Sequence, residues 1–568
     1  MNESSQPAAR PSSLVLHPSS VLLALLVGLY VAARLWRLTG SCLWFDELFS
    51  VHAARHTWPG LWRFVAADLI HPPLFYALLK LWTGVGGESL LWLRLFPFAA
   101  SVAALVPLLL LARELKLGTA ATNVALLVAA ANGYLIKYAQ EVRMYGLLLL
   151  LTLTSLWLCA RLLNREGQAR GLLFALFPVN LLLVYTHYYG WLVVACEAAF
   201  LALKERRRLG AFALTAAGLA LAYMPWVVAC VCAAARGGGL AQNIGLISRP
   251  GARDLVQLFA LFNEPFYFRQ SSADPLYARS GALFGLLIVG LPLVALLVGV
   301  ARGVSAGTDD EGVLVDDEER VAERPRASVL GNLKGVVGFL LVFALLPVLL
   351  AFAASYVLPQ SVWGTRHLVV AYAPYALLAG LALARLRPLW LRSTALILLC
   401  CWLLIAGVLT LVRRDVAPIW CAWEGLAASA ARDETRDSAV GGVGAAGGGA
   451  SHAAEVYAFE DLVAYHLWFA LERGSTAGRF RVVKIKGAPG LTEDPAYFLP
   501  RGFDGVATAS PDALQGQRFW LAFRDTNWDE SHQPLKLITE RGYRAERVYE
   551  TAAQGQRAFL VLFTRTGG

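Results

Sequence analysis

Charge is scarce in this 568-residue chain: 16% of the residues are Asp, Glu, Lys or Arg, while 57% are hydrophobic and the mean hydropathy is positive. So little charge cannot solubilise a protein of this length, which excludes the soluble globular class. The first apolar run lacks a small-residue cleavage site and is followed by many more runs, which excludes a removed signal peptide. Cysteine is sparse too, with eight residues. Cys159, Cys196, Cys230, Cys232, Cys400 and Cys401 lie within apolar runs, as packing residues do. No Cys/His spacing fits a zinc site. Only Cys42 and Cys421 fall outside the runs, and sequence leaves a bridge between them open in an oxidising compartment. Acidic residues are outnumbered, giving a net charge of +10. The basic residues cluster between apolar runs, so they read as topology signals and nucleic acid is not an expected partner.

What the chain has in abundance is runs of about 20 apolar residues, the length that crosses a bilayer as a helix. About eleven are expected, at 19–38, 91–112, 119–137, 144–162, 171–187, 188–203, 210–232, 281–301, 334–355, 367–384 and 393–412. The fold class is therefore a polytopic all-α membrane protein. With residues 1–18 as a cytoplasmic tail, the interior loops hold Arg113 and Lys116; Arg161, Arg165 and Arg170; Lys204 and Arg206 to Arg208; and Arg385, Arg387 and Arg392. That repeats the positive-inside pattern and puts the loop 39–90 outside. Pro72–Trp82 is too short to cross and reads as an interfacial helix. The acidic stretch Gly303–Ser328 reads as a disordered cytoplasmic loop, and the polar outer stretch Ala233–Ser280 as a lid or acceptor-binding loop.

Charge stands immediately beside membrane in Leu43-Trp44-Phe45-Asp46-Glu47-Leu48-Phe49-Ser50. Paired acids so close to lipid are costly and point to function, so Asp46 and Glu47 are the candidate catalytic groups. The following stretch 48–70 mixes apolar and charged residues as amphipathic surface helices do. The double proline after His71 fixes a rigid corner there. Three further outer turns carry polar clusters: Lys137, Glu141 and Arg143 between Tyr134 and Gly146; Thr186-His187-Tyr188-Tyr189, which reads as interfacial aromatics; and Arg366-His367 after Trp363. An arginine at a membrane edge can grip a phosphate with two parallel donors, which lysine cannot. Lys137, Glu141, Arg143, Arg366, His367 and His71 are thus the candidate substrate-binding residues. After residue 412 the composition changes: 413–451 reads as a Gly-rich linker and 452–568 as a small α/β accessory domain without a glycine-rich phosphate loop or a nucleophile motif.

The succession of an apolar span, Trp44-Phe45-Asp46-Glu47, His71-Pro72-Pro73-Leu74 and Tyr138-Ala139-Gln140-Glu141-Val142-Arg143-Met144-Tyr145 resembles the bacterial relatives of protein O-mannosyltransferases and lipid A aminoarabinose transferases, which are GT-C membrane glycosyltransferases. Two positions depart from that pattern: His71 stands where the aminoarabinose branch has a carboxylate, and Arg366-His367 where relatives have Arg-Tyr. The resemblance implies a GT-C core over 19–412 with a catalytic outer loop, and an extracytoplasmic C-terminal domain. It implies an enzyme of the bacterial inner membrane that moves a sugar from a polyprenyl-phosphate donor to a lipid, glycan or protein hydroxyl on the outer face. Asp46 would be the base, and any divalent cation would be held by Asp46, Glu141 and His71. The rival reading is a transporter or flippase, whose sites sit near the midplane and often accompany an internal repeat; here charge lies at the outer ends and no repeat is visible.

Overall fold

A computed structural model describes residues 18–165, 167–236, 247–266, 283–302, 329–412, 418–441, 453–472, 478–488, 505–553 and 555–566. The N-terminal tail, the acidic stretch 303–328, most of the Gly-rich stretch 441–449, and Gln242, Asn243 and Asp274 of the outer loop lie outside these residues.

Each of the eleven apolar runs is helical. Among the described residues, seven helices are long and apolar enough to cross a membrane, and Ser20–Leu35, Leu74–Gly86, Thr119–Ala131 and Gly285–Ala301 are shorter apolar helices. The chain is a multi-pass membrane protein. The first span, helix α1 (Pro18–Leu35), leads to α2 (Phe45–Arg55), α3 (Trp58–Asp68) and α4 (Leu74–Gly86). Two runs expected as single helices are divided. The second span is split at Ala104 into α5 (Leu90–Ala103) and α6 (Leu105–Glu114). The third ends at Asn132, between α7 (Thr119–Ala131) and α8 (Gly133–Gln140). The Asn132 carbonyl accepts from the Leu135 N–H at 2.9 Å, capping α8. Its side-chain amide donates to Leu261 O, Phe262 O and Glu264 O at 3.1, 3.1 and 3.3 Å, carbonyls at the end of helix Ala252–Asn263. One side chain therefore both breaks a span and fastens the outer segment onto it.

The remaining apolar helices are α9 (Tyr145–Asn164), α10 (Ala169–Thr186), α11 (Gly190–Lys204), α12 (Arg206–Ala235), and those over Gly285–Ala301, Leu333–Val357, Val369–Ala384 and Leu389–Val412. At the bundle centre α7 lies along Val369–Ala384, buried from end to end. A Cβ at Gly380 would stand 2.4 Å from Ala121 O, so only glycine lets these backbones meet. Arg34, fully buried near the end of α1, donates to Ala129 O at 3.1 Å, Ala130 O at 3.4 Å, Tyr30 O at 3.0 Å and the Ser101 hydroxyl at 3.3 Å. Its charge thus compensates the negative end of α7.

The C-terminal unit is a six-stranded sheet in the order β3-β2-β1-β4-β6-β5. Strands β1 (Ala454–Ala458), β2 (Phe480–Ile485), β3 (Ala507–Ala509) and β4 (Arg518–Asp525) are parallel; β5 (Tyr543–Ala553) and β6 (Gln556–Arg565) extend them antiparallel. Helix Asp461–Glu472 packs its apolar face on β1, β2 and β4. The segment 413–451, expected as a linker, contains helix Ala422–Gly441 instead. Trp423, Leu426, Ala427 and Ala430 bury its apolar face, and Glu434 accepts from the Trp520 indole at 2.9 Å. Cys42 and Cys421 form a disulfide between the loop after α1 and the start of that helix. Phe45 meets Tyr465 edge-on at 6.0 Å, and His52 meets Trp468 at 5.3 Å. Helix Asp461–Glu472 of the C-terminal unit thereby packs directly on α2.

Thiol counting by alkylation and mass spectrometry of the unreduced protein is expected to find the six free cysteines outside this bridge, rising to eight on reduction. Cys421→Ser should lower stability by about 2–4 kcal/mol in thermal or denaturant unfolding.

Candidate active site at one end of the bundle

Three chain-distant charges meet where α2 begins. An Asp46 carboxylate oxygen accepts from the Arg366 guanidinium at 2.9 Å, and an Arg143 nitrogen lies 3.9 Å from the same oxygen. The side chains of Asp46 and Arg366 are 21% and 34% exposed, whereas Arg143 is at 3%. The pair therefore opens outward with Arg143 behind it. Arg143 is held by Asp46 O at 3.2 Å, the Ser50 hydroxyl at 3.3 Å and the Tyr76 hydroxyl at 3.3 Å. Its other terminal nitrogen faces the His71 ring, 3.4 Å from either ring nitrogen.

Glu47, expected as a second catalytic carboxylate, has a different place. It is 1% exposed, and its two oxygens accept from Val142 N at 2.7 Å, Trp44 N at 3.0 Å and Arg94 at 3.4 Å. Arg94 in turn donates to Leu38 O at 2.7 Å and Cys42 O at 2.9 Å. Glu47 therefore ties the Asp46 turn to the bend at 141–143, a structural job that leaves no oxygen facing the opening.

Glu141 lies within electrostatic reach of Glu47, Arg366 and Asp46, and burial pushes its carboxyl up to about 7 against the pull of Lys137, 3.9 Å away. Lys137 is spent on this pair and on the Tyr138 ring, 5.4 Å away. Asp68, at the end of α3, is likewise pushed up to about 7 by burial, with Arg143 opposing and Asp46 adding to the shift. His71 sits on the expected corner, buried, with its pKa held well below the usual range by desolvation and by Arg143.

The expected cation ligands do not assemble. Among the described residues the converging group is His71, His187 and His367, whose ligand atoms lie within 4.8 Å of one another. Asp46 and Glu141 are outside it, and Asp46 is already paired with cations. His187, read from sequence as part of an aromatic belt, stands 5.4 Å from the His71 ring and 4.6 Å from that of His367. Tyr189 packs on His367 at 5.2 Å and donates its hydroxyl to Val362 O at 2.7 Å; Tyr134 donates to Thr365 O at 2.8 Å. These two tyrosines fix the loop that presents Arg366. A Cβ at Gly364 would come within 2.6 Å of the His367 ring, so the turn there requires glycine.

No protein-family model matches the chain, and no curated protein sequence matches it. Solved structures do. The aminoarabinose transferase ArnT from Cupriavidus metallidurans, bound to undecaprenyl phosphate, superposes with a TM-score of 0.51 at 13% identity, over 95% of this chain and 97% of that one. Its apo state gives 0.50 at 13% identity, over 96% and 98%. This chain has the GT-C fold. The likeness runs through the whole GT-C core and the terminal sheet unit alike.

Within this GT-C fold, sequence reasoning placed Asp46, Arg143, Arg366, His71 and His367 together, and the structure joins them. It missed His187, Arg94, Asp68 and Tyr76. His187 had one usable signal: like His71, it stands at an outer turn beside rigidifying neighbours rather than inside a span.

Glu47→Ala is expected to cost about 3–5 kcal/mol, as removal of one partner from a buried charged network does, with thermal stability and donor binding falling together. Glu141 and Asp68 hold their protons more tightly in the folded chain than in the unfolded one. Their stabilising contribution is complete below the ordinary values of 4.5 and 3.8 and is lost as pH rises through about 7. The thermal midpoint should therefore fall from about pH 4 to pH 7 and level off above that, and Glu141→Gln and Asp68→Asn should each flatten that fall.

Proposed function

We propose that the chain is an inverting glycosyltransferase that moves a hexose or pentose from a polyprenyl-phosphate donor to a hydroxyl of an envelope lipid, glycan or protein. The observation that carries the reading is the open Asp46–Arg366 pair backed by Arg143 at the end of the bundle. The GT-C fold supports it. So does the bridge between Cys42 and Cys421, a bond that persists on the oxidising side of a bacterial plasma membrane. That bond also ties the accessory sheet to the same face as Asp46.

The chemistry follows from the charges. An acceptor hydroxyl is a poor nucleophile until a base removes its proton as its oxygen attacks the anomeric carbon, and the exposed Asp46 carboxylate suits that role. The bond from anomeric carbon to phosphate oxygen breaks in the same displacement, inverting the centre. The departing phosphate gains negative charge, which Arg366 and Arg143 neutralise. In the resting state Arg366 gives one terminal nitrogen to Asp46. A phosphate, offering more acceptor oxygens, takes the guanidinium and releases the carboxylate to face the acceptor. Base activation is thus coupled to donor binding. No step passes through a divalent cation, because the groups nearest the carboxylate are already cationic.

In proteoliposomes supplied with a prenyl-phosphate sugar, Asp46→Asn should keep its thermal midpoint and lose transfer by about 10²- to 10⁴-fold, the usual contribution of a general base. Arg366→Lys keeps the charge but loses the planar fork, and should weaken donor binding by about tenfold. Full transfer in Asp46→Asn would reject the carboxylate as base. Movement of the intact lipid-linked sugar across the bilayer, without transfer, would favour the transporter.

A further inference from the structure

Among the acidic residues of the chain, Glu197 alone falls inside one of the apolar runs read from the sequence. A charge at that depth is costly, so an acid kept there points to a role. Glu197 lies midway along α11, wholly buried, and meets Ser155 of α9 and Asn180 of α10, both also buried. The Ser155 hydroxyl oxygen is 2.5 Å from Glu197 Oε1 and 2.7 Å from Asn180 Oδ1, and Asn180 Nδ2 is 2.7 Å from Glu197 Oε2. The three side chains thus form a closed triangle with a polar contact on each edge.

Protons can be counted around that triangle. Three edges of hydrogen-bond length need three protons, one on each. Ser155 has a single hydroxyl proton, and Asn180 presents a donor nitrogen to Glu197 and an acceptor oxygen to Ser155. Those two residues supply two protons, so the third comes from Glu197. Exchanging the oxygen and nitrogen of the Asn180 amide leaves the count unchanged: the amide then donates to Ser155, Ser155 to Glu197, and the edge between Asn180 and Glu197 is the one in need of a proton. With either orientation an ionised carboxylate would press two bare oxygens together. The titratable neighbours are the thiols of Cys159, one turn along α9, and Cys196; among the described residues no cation approaches the carboxyl to offset a charge.

We propose that Glu197 is held as a neutral carboxylic acid that donates to Ser155, while Ser155 donates to Asn180 and Asn180 to Glu197, and that this ring positions the site at the outer end of the bundle. Between spans, hydrogen bonds and close packing take over the work that the hydrophobic effect does in water. Each helix that the ring joins carries a site residue at its outer end. Arg143 stands two residues before α9, His187 directly after α10, and Tyr189, which holds the Arg366 loop through Val362 O, directly before α11. At 1.5 Å per helical residue those groups lie about 10–18 Å from the ring, so a slide or rotation there is carried to them along rigid helix. That the alignment serves sugar transfer rests on the function proposed above; the ring itself does not.

The test uses the full chain in lipid nanodiscs. Infrared difference spectra, wild type minus Glu197→Gln, are recorded at pH 7. A protonated-carboxyl band is expected from the wild type and not from the variant, whereas carboxylate bands in its place would overturn the ring. Gln reproduces the donor and the acceptor of the neutral acid, so Glu197→Gln should melt close to the wild type and keep its kcat. Ser155→Ala removes one oxygen and with it two of the three bonds. It should melt lower and lose kcat by about tenfold or more, since a misplacement of about 1 Å can cost about a hundredfold. Glu197→Gln as unstable and inactive as Glu197→Ala would mean that the charge is needed, and would overturn the proposal. Wild-type kcat in Ser155→Ala would overturn the positioning role. A wild type that transfers no sugar would sink the function proposed above, and the infrared and melting results would still decide the ring.

Discussion

Three residues separated by 97 and 223 positions, Asp46, Arg143 and Arg366, place two guanidinium groups about one carboxylate, and the rest of the architecture serves that meeting. Such a cluster is poor stabilising material, since removing charge from water costs about as much as pairing returns. It survives because each member is held by something else. Glu47 and Arg94 fasten the turn that carries Asp46; Ser50 and Tyr76 hold Arg143; Tyr134 and Tyr189 hold the loop that carries Arg366. The supporting bonds use buried, short-reach groups, and the two most exposed side chains are the two that pair. Burial and exposure are thus divided between neighbouring residues of the same turn, Glu47 and Asp46.

That division marks the boundary of what sequence could reveal. Spans were legible because a run of apolar residues has one dominant explanation in a chain with so little charge. Charged outer turns were legible because charge beside lipid is expensive. The roles of Asp46 and Glu47 were not, since adjacent carboxylates on a helix start point to different faces and only packing says which face is inside. His187 was lost among tyrosines that lipid interfaces also favour. The break at Asn132 passed unseen because the residues on both sides remain apolar. In the C-terminal unit, β5 alternates charged residues along an exposed edge and lacks the apolar run that marks β1, β2, β4 and β6. Helix Ala422–Gly441 is rich in small and polar residues, so its composition reads as linker while its buried stripe from Trp423 to Ala430 makes it a brace.

His71 and His367, which arrive from distant parts of the chain, fall in one packed cluster with His187.

The burial of Arg34 carries a consequence for how the chain is made. Its guanidinium is matched by carbonyls of Ala129 and Ala130, which are synthesised almost a hundred residues later. Until they arrive, the cation in the last turn of the first helix has neither carbonyl to meet, and a charge is costly inside a bilayer. An arginine one residue from the helix end can wait at the water boundary, so the final seating of the opening segment depends on the third hydrophobic segment.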